Sequence, residues 1–262
     1  LRFSDRNKWV ADASVDGLHY GTTWNKTSLE LALVKGTLDN HSEYAIGHVS
    51  QTNDKKTFGA FVIGETNSGS RRFHVSAYFN HKLSKNFEYQ ANVAGVFGDA
   101  ANGHSEGLGL DFRATRKFEN RKWNPQLTLG FAAGSKGFQQ TGLNSNKTYD
   151  GGQTQFDRYG YLYQPDLTNM MVATLSYGVR PSRNFSMDLT LHAYAQPSAS
   201  TIAPSARLRG ATTGLSNYLG SEVSITGAWR PTRKTKVEFG LAKFTPGSAY
   251  VDRSNASRIY GR

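Results

Sequence analysis

The chain has 262 residues, of which 37% are hydrophobic and 27 are glycine, so it is too apolar for a disordered segment and long enough for a sizeable fold. It contains no cysteine, which excludes disulfides, thiolate nucleophiles and cysteine metal sites. Its 31 Lys and Arg against 20 Asp and Glu give a formal net charge of +11, but the basic residues are scattered singly, so anionic lipid and acidic polysaccharide fit better as partners than nucleic acid.

The opening Leu1-Arg2-Phe3-Ser4-Asp5-Arg6 has no signal-peptide pattern and reads as the interior of a longer chain. Residues 9–20 carry a weak two-residue alternation, as do two runs between 44 and 65, and Leu29, Leu31 and Leu33 make a clearer one. The pattern continues in Phe73, Val75, Ala77 and Phe79, then in Phe87, Tyr89, Ala91 and Val93. Leu108, Leu110, Phe112 and Ala114 alternate with Gly107, Gly109, Asp111 and Arg113, and Leu127, Leu129, Phe131 and Ala133 follow. After Met171, Ala173, Leu175, Tyr177 and Val179 comes the clearest segment, 185–196. There Phe185, Met187, Leu189 and Leu191 alternate with Ser186, Asp188, Thr190 and His192. Val223, Ile225, Gly227 and Trp229, then Val237, Phe239 and Leu241, complete a count of about thirteen strands.

No helical period emerges, and no run approaches the roughly 20 apolar residues of a membrane-spanning helix. Links such as Leu83-Ser84-Lys85-Asn86, Arg180-Pro181-Ser182-Arg183-Asn184 and Arg230-Pro231-Thr232-Arg233-Lys234 are short, whereas 135–169 and 197–217 are long. A barrel of about thirteen strands encloses more space than side chains fill, so its polar face is expected to line a wet lumen and its apolar face to meet lipid. A soluble sandwich is the alternative reading of the same alternation. Trp9, Trp24, Trp123, Tyr177 and Trp229 are expected at strand ends, as interfacial girdles.

From Gly137 onward the chain resembles the alginate export family of outer-membrane barrels. The resemblance rests on Gly137-Phe138-Gln139-Gln140-Thr141-Gly142-Leu143-Asn144-Ser145-Asn146-Lys147, Gly151-Gly152, Arg158-Tyr159-Gly160 and Pro165-Asp166-Leu167-Thr168-Asn169. It ends on Leu219-Gly220-Ser221-Glu222-Val223 and Phe244-Thr245-Pro246-Gly247-Ser248-Ala249-Tyr250. The resemblance implies a single all-β domain over 1–262, an antiparallel transmembrane barrel of about 18 strands that is incomplete here at both ends. It implies that 137–169 constricts the pore and that an anionic polysaccharide passes through a basic lumen. Outer-membrane lipid, lipopolysaccharide and periplasmic secretion partners would surround it in a Gram-negative outer membrane.

The resemblance places Lys147 and Arg158 where cations line the path, and the alternation adds Arg113, Arg180 and Arg230. Asp111, Asp188 and Glu222 are the acidic candidates, with Glu222 expected to pair with a cation. Gln153, Gln155, Glu238 and Gly240 stand where the family tends to place Arg, which weakens the case for alginate itself. No catalytic residue, metal site or cofactor is expected, because the seven His show no ligand spacing and no HExxH, Walker loop or GxSxG occurs. An anion-selective or general porin and a scaffold barrel holding a partner protein are the two rival functions.

Overall fold

The computed structural model describes residues 2–4, 7–36, 42–100, 103–119, 121–148, 156–202 and 205–261; Gln153 and Gln155 lie outside them. The strands are β1 (Arg2–Ser4), β2 (Asp12–Trp24), β3 (Thr27–Gly36), β4 (Glu43–Thr52), β5 (Lys56–Asn67), β6 (Ser70–Ser84), β7 (Phe87–Ala100) and β8 (Gly103–Lys117). They continue as β9 (Gln126–Gly134), β10 (Lys147–Thr148), β11 (Phe156–Asp157), β12 (Met170–Ser182), β13 (Phe185–Ala195), β14 (Tyr218–Trp229), β15 (Val237–Pro246) and β16 (Ala256–Gly261). Fourteen of them form one antiparallel sheet in chain order, while β10 and β11 pair separately between β9 and β12.

Burial inverts the pattern of a soluble sheet. In β13, Leu189 is 44% exposed while Asp188 between the apolar positions is 1% exposed. The same inversion exposes Leu108 and Leu110 on β8 and Leu129 on β9, and buries Asp111, Arg113 and Thr128. A polar inner face and an apolar outer face suit a barrel wall in lipid, where the outward leucines are solvated by hydrocarbon. The pairing keeps each face in register, with Asp188 opposite Gly178 and Thr226, and Leu189 opposite Tyr177 and Ile225.

All the links at one rim are short, the longest being 118–125, and Asn25 adopts a positive φ of 53° in the tight β2–β3 turn. The opposite rim holds a two-residue turn at 68–69 but also the long segments 135–169 and 196–217. Trp24, Trp123, Tyr177 and Trp229 are exposed towards the short-turn rim, a position that fits an aromatic girdle.

Trp9 overturns the expectation for it. It precedes β2, is 2% exposed and lies inside the fold. The expected wet lumen is also occupied, because residues 7–11 and the described parts of 137–169 cover much of the polar inner face. The wall curves around them: Tyr159 reaches Asp111 on β8, while the carbonyl of Arg158 faces His192 on β13.

Candidate functional site

Against β7, β8 and β9 the inner segment is tightly seated. Gly107 and Gly109 occupy inward positions of β8, and a Cβ on either would collide with Phe138. The Phe138 ring stacks on Trp9 at 6.2 Å. Trp9 Nε1 donates to Tyr159 Oη at 2.6 Å, and that hydroxyl donates to Asp111 Oδ2 at 2.9 Å. Arg158 pairs with Asp111 at 3.1 Å and donates to the Asn7 carbonyl at 2.7 Å and to Gln90 at 3.2 Å. Burial, and then the Asp111 charge, push the Tyr159 hydroxyl well above the usual phenol range. The ion pair is buried and each partner is held by further hydrogen bonds, as such a pair requires.

A second attachment lies on β14. The Glu222 carboxylate accepts the backbone N–H groups of Tyr161 at 2.6 Å, Leu162 at 3.1 Å and Tyr163 at 2.8 Å. Its partners are backbone amides where the sequence suggested a cation. Three successive amides converge because Gly160 takes a positive φ of 110° and turns the chain there. Tyr163 then stacks on Phe244 at 4.7 Å, and its hydroxyl meets that of Tyr250 at 2.8 Å.

Between this attachment and β14–β16 a cavity of about 420 Å³ remains open, lined among others by Lys147, Asp157, Tyr161, Arg207, Arg258 and Tyr260. Lys147 on β10 stands opposite Asp157 on β11. Burial raises the Asp157 carboxyl above its usual range, while Lys147, a Gln164 hydrogen bond, Arg207 and Arg258 pull against that shift. The Arg258 guanidinium lies 5.3 Å from the Tyr161 ring centre, and the Tyr161 and Tyr260 rings are 5.8 Å apart. Three cations thus surround one carboxylate beside two tyrosine faces. Such a set can bind a carboxylate through charge-assisted hydrogen bonds and pack against an apolar ring face.

The remaining candidates are dispersed. Arg113 is buried on β8. Arg180 pairs with Asp188 at 3.0 Å near the short-turn rim. Arg230 is exposed at that rim, apart from the lumen, because the chain leaves the sheet after Trp229. Glu238 is buried and pairs with Lys236, and Gly240 faces the Tyr161 ring. Among the described residues no group of three His, Asp or Glu side chains is placed to hold a metal.

Arg207, Arg258 and Tyr161 are not among the residues the sequence singles out. Arg258 and Tyr260 do alternate with Ser257 and Ile259 on β16, a signal that could have found them; Arg207 sits in aperiodic chain with no such signal.

The alginate export family model matches residues 38–260, well beyond the C-terminal part whose motifs carry the resemblance. No curated protein sequence matches the chain. The fold is similar to that of the outer membrane protein OprD from Pseudomonas aeruginosa, with a TM-score of 0.62 at 9% identity over 98% of this chain and 72% of that one. It is also similar to OccK11 (OpdR) of the same organism, with a TM-score of 0.63 at 10% identity over 94% of this chain and 69% of that one. At such identities the likeness is one of fold.

Proposed function

We propose, from the premise that this chain belongs to the alginate export family, that it carries an anionic polysaccharide outward through a narrowed, basic interior. Family and fold make it an outer-membrane β-barrel channel of Gram-negative type. The finer reading rests on one observation, the cavity where Lys147, Arg207 and Arg258 surround Asp157 beside Tyr161 and Tyr260. Hexuronate units present the matching chemistry, a carboxylate at each sugar and an apolar ring face.

Segment 137–169 acts in this reading as the constriction, anchored by Glu222 and by the Asp111–Arg158 pair. A polymer path needs attraction that is weak at each site and repeated along the route, and partly screened cations supply it. Arg158 then fastens the constriction to Asp111 and Asn7, and Lys147 faces the permeant.

Planar-bilayer recording tests this. The expected result is a small conductance with anion preference, blocked by hexuronate oligomers and left nearly unchanged by neutral oligosaccharides of equal length. Large steady currents with equal block by both would favour the anion-selective or general porin. A silent barrel that co-purifies with a stoichiometric partner would favour the scaffold.

A further inference from the structure

The site cavity has a neighbour. A second cavity of about 600 Å³ is lined by Arg72, Lys136 and Gln196 among others, and it shares Asn144 and Asp166 with the first. Two cavities with common lining residues adjoin there. Their positions along the wall differ. Arg72 lies near the start of β6, Lys136 just beyond the end of β9 and Gln196 just beyond β13, all at the long-segment rim. The first cavity instead reaches Thr226, Glu238 and Tyr260, low on β14, β15 and β16. From Gly220 to Thr226 the wall runs about 20 Å along the strand.

We infer that the two cavities in series are the permeation route through the inner fold, and that Asp166 at their junction lowers the anion preference that the cations on either side set. The inference rests on the channel reading and assigns it a path. Both cavities present cations, Lys147, Arg207 and Arg258 on one side of the junction and Lys136 on the other, where Arg72 also lines the wall but is tied to Glu65 and Gln139. Asp166 is exposed, and its carboxylate has no hydrogen-bond or ion-pair partner among the described residues. Its backbone N–H is tied to the Ser205 carbonyl at 2.8 Å, which fixes its place. A carboxylate at the junction of two chambers that carry cations interrupts the attraction, so that a polyanion moves on instead of resting in one well.

The chain has no cysteine, so a single introduced thiol is unambiguous. Asp166→Cys, recorded in bilayers before and after a cationic and an anionic methanethiosulfonate, is compared with Asp54→Cys in the β4–β5 turn. The cationic adduct at position 166 is expected to raise the anion-to-cation permeability ratio about threefold at low salt and the anionic adduct to lower it, with position 54 unresponsive. Asp166→Asn should move the ratio in the cationic direction by a smaller factor. Complete modification of the thiol at position 166, verified by mass, with unchanged currents overturns the route while leaving the channel reading intact. A wild-type barrel that inserts and passes no ions overturns the channel reading and the route together.

Discussion

The two sides of the interior use the same residue types for different ends. Against β7–β9, Arg158 and Asp111 are locked together beneath Trp9 and Tyr159, with every contact drawn from the chain itself. Against β14–β16, Lys147, Arg207 and Arg258 border open space around Asp157. A basic residue inside a barrel is therefore not by itself a substrate contact: Arg158 lines the same cavity as Lys147, Arg207 and Arg258, yet its guanidinium is taken up by Asp111 and the Asn7 carbonyl.

The largest effect is expected on the locked side. Arg158→Met leaves the Asp111 charge buried without its guanidinium, which should cost about 3–5 kcal/mol and lower the melting transition in detergent. Removal of both charges in Arg158→Met with Asp111→Asn should recover part of that loss. A single variant as stable as the parent would show that the locked side is not locked.

Next comes the wall that separates both sides from lipid. Leu189→Arg places a charge on the outward face of β13 and should cost about 2–4 kcal/mol in refolding experiments if that site lies near the bilayer midplane. Thr190→Ser on the inward face should cost little. Equal costs would contradict the assignment of faces.

Glu222→Gln tests the attachment between the two sides. The neutral amide is a weaker acceptor for the three amides at 161–163, and each hydrogen bond to a charged group contributes about 1.5–3 kcal/mol. The expected signature is a noisier, larger single-channel conductance as the inner segment loosens, with the barrel still folded. Unaltered current noise would mean that Glu222 does not hold the constriction.

Much of this is legible in the sequence, and for a physical reason. Strands such as β8 and β13 write their two environments into alternate residues, so the wall, its faces and the turns at the short rim follow from local pattern. The inner fold has no such period. Trp9 meets Tyr159 across 150 residues of chain, and Glu222 binds amides that any sequence carries. Trp9 reads as a girdle residue because nothing local distinguishes an aromatic before a strand from one that turns inward. The glycines at 107 and 109 are the readable hint, since an inward face that merely met water would not need to admit a Phe138 ring.

The smallest effect concerns protonation on the open side. The Asp157 carboxyl is raised by burial, so its charged form weakens the fold above its raised pKa, and that cost fades as pH falls through it towards the unfolded value. Asp157→Asn should therefore raise the melting temperature modestly at neutral pH, with the gain vanishing in acid. A gain that persists in acid would assign the stabilisation to something other than charge.

The contrast between the two sides is tested most directly by neutralising Lys147, Arg207 and Arg258 together and measuring reversal potentials and hexuronate block at low and high salt. A shift towards cation preference and weaker block is expected, larger at low salt because screening is least there, in a barrel that still folds. Unaltered selectivity at low salt in a folded channel would contradict it.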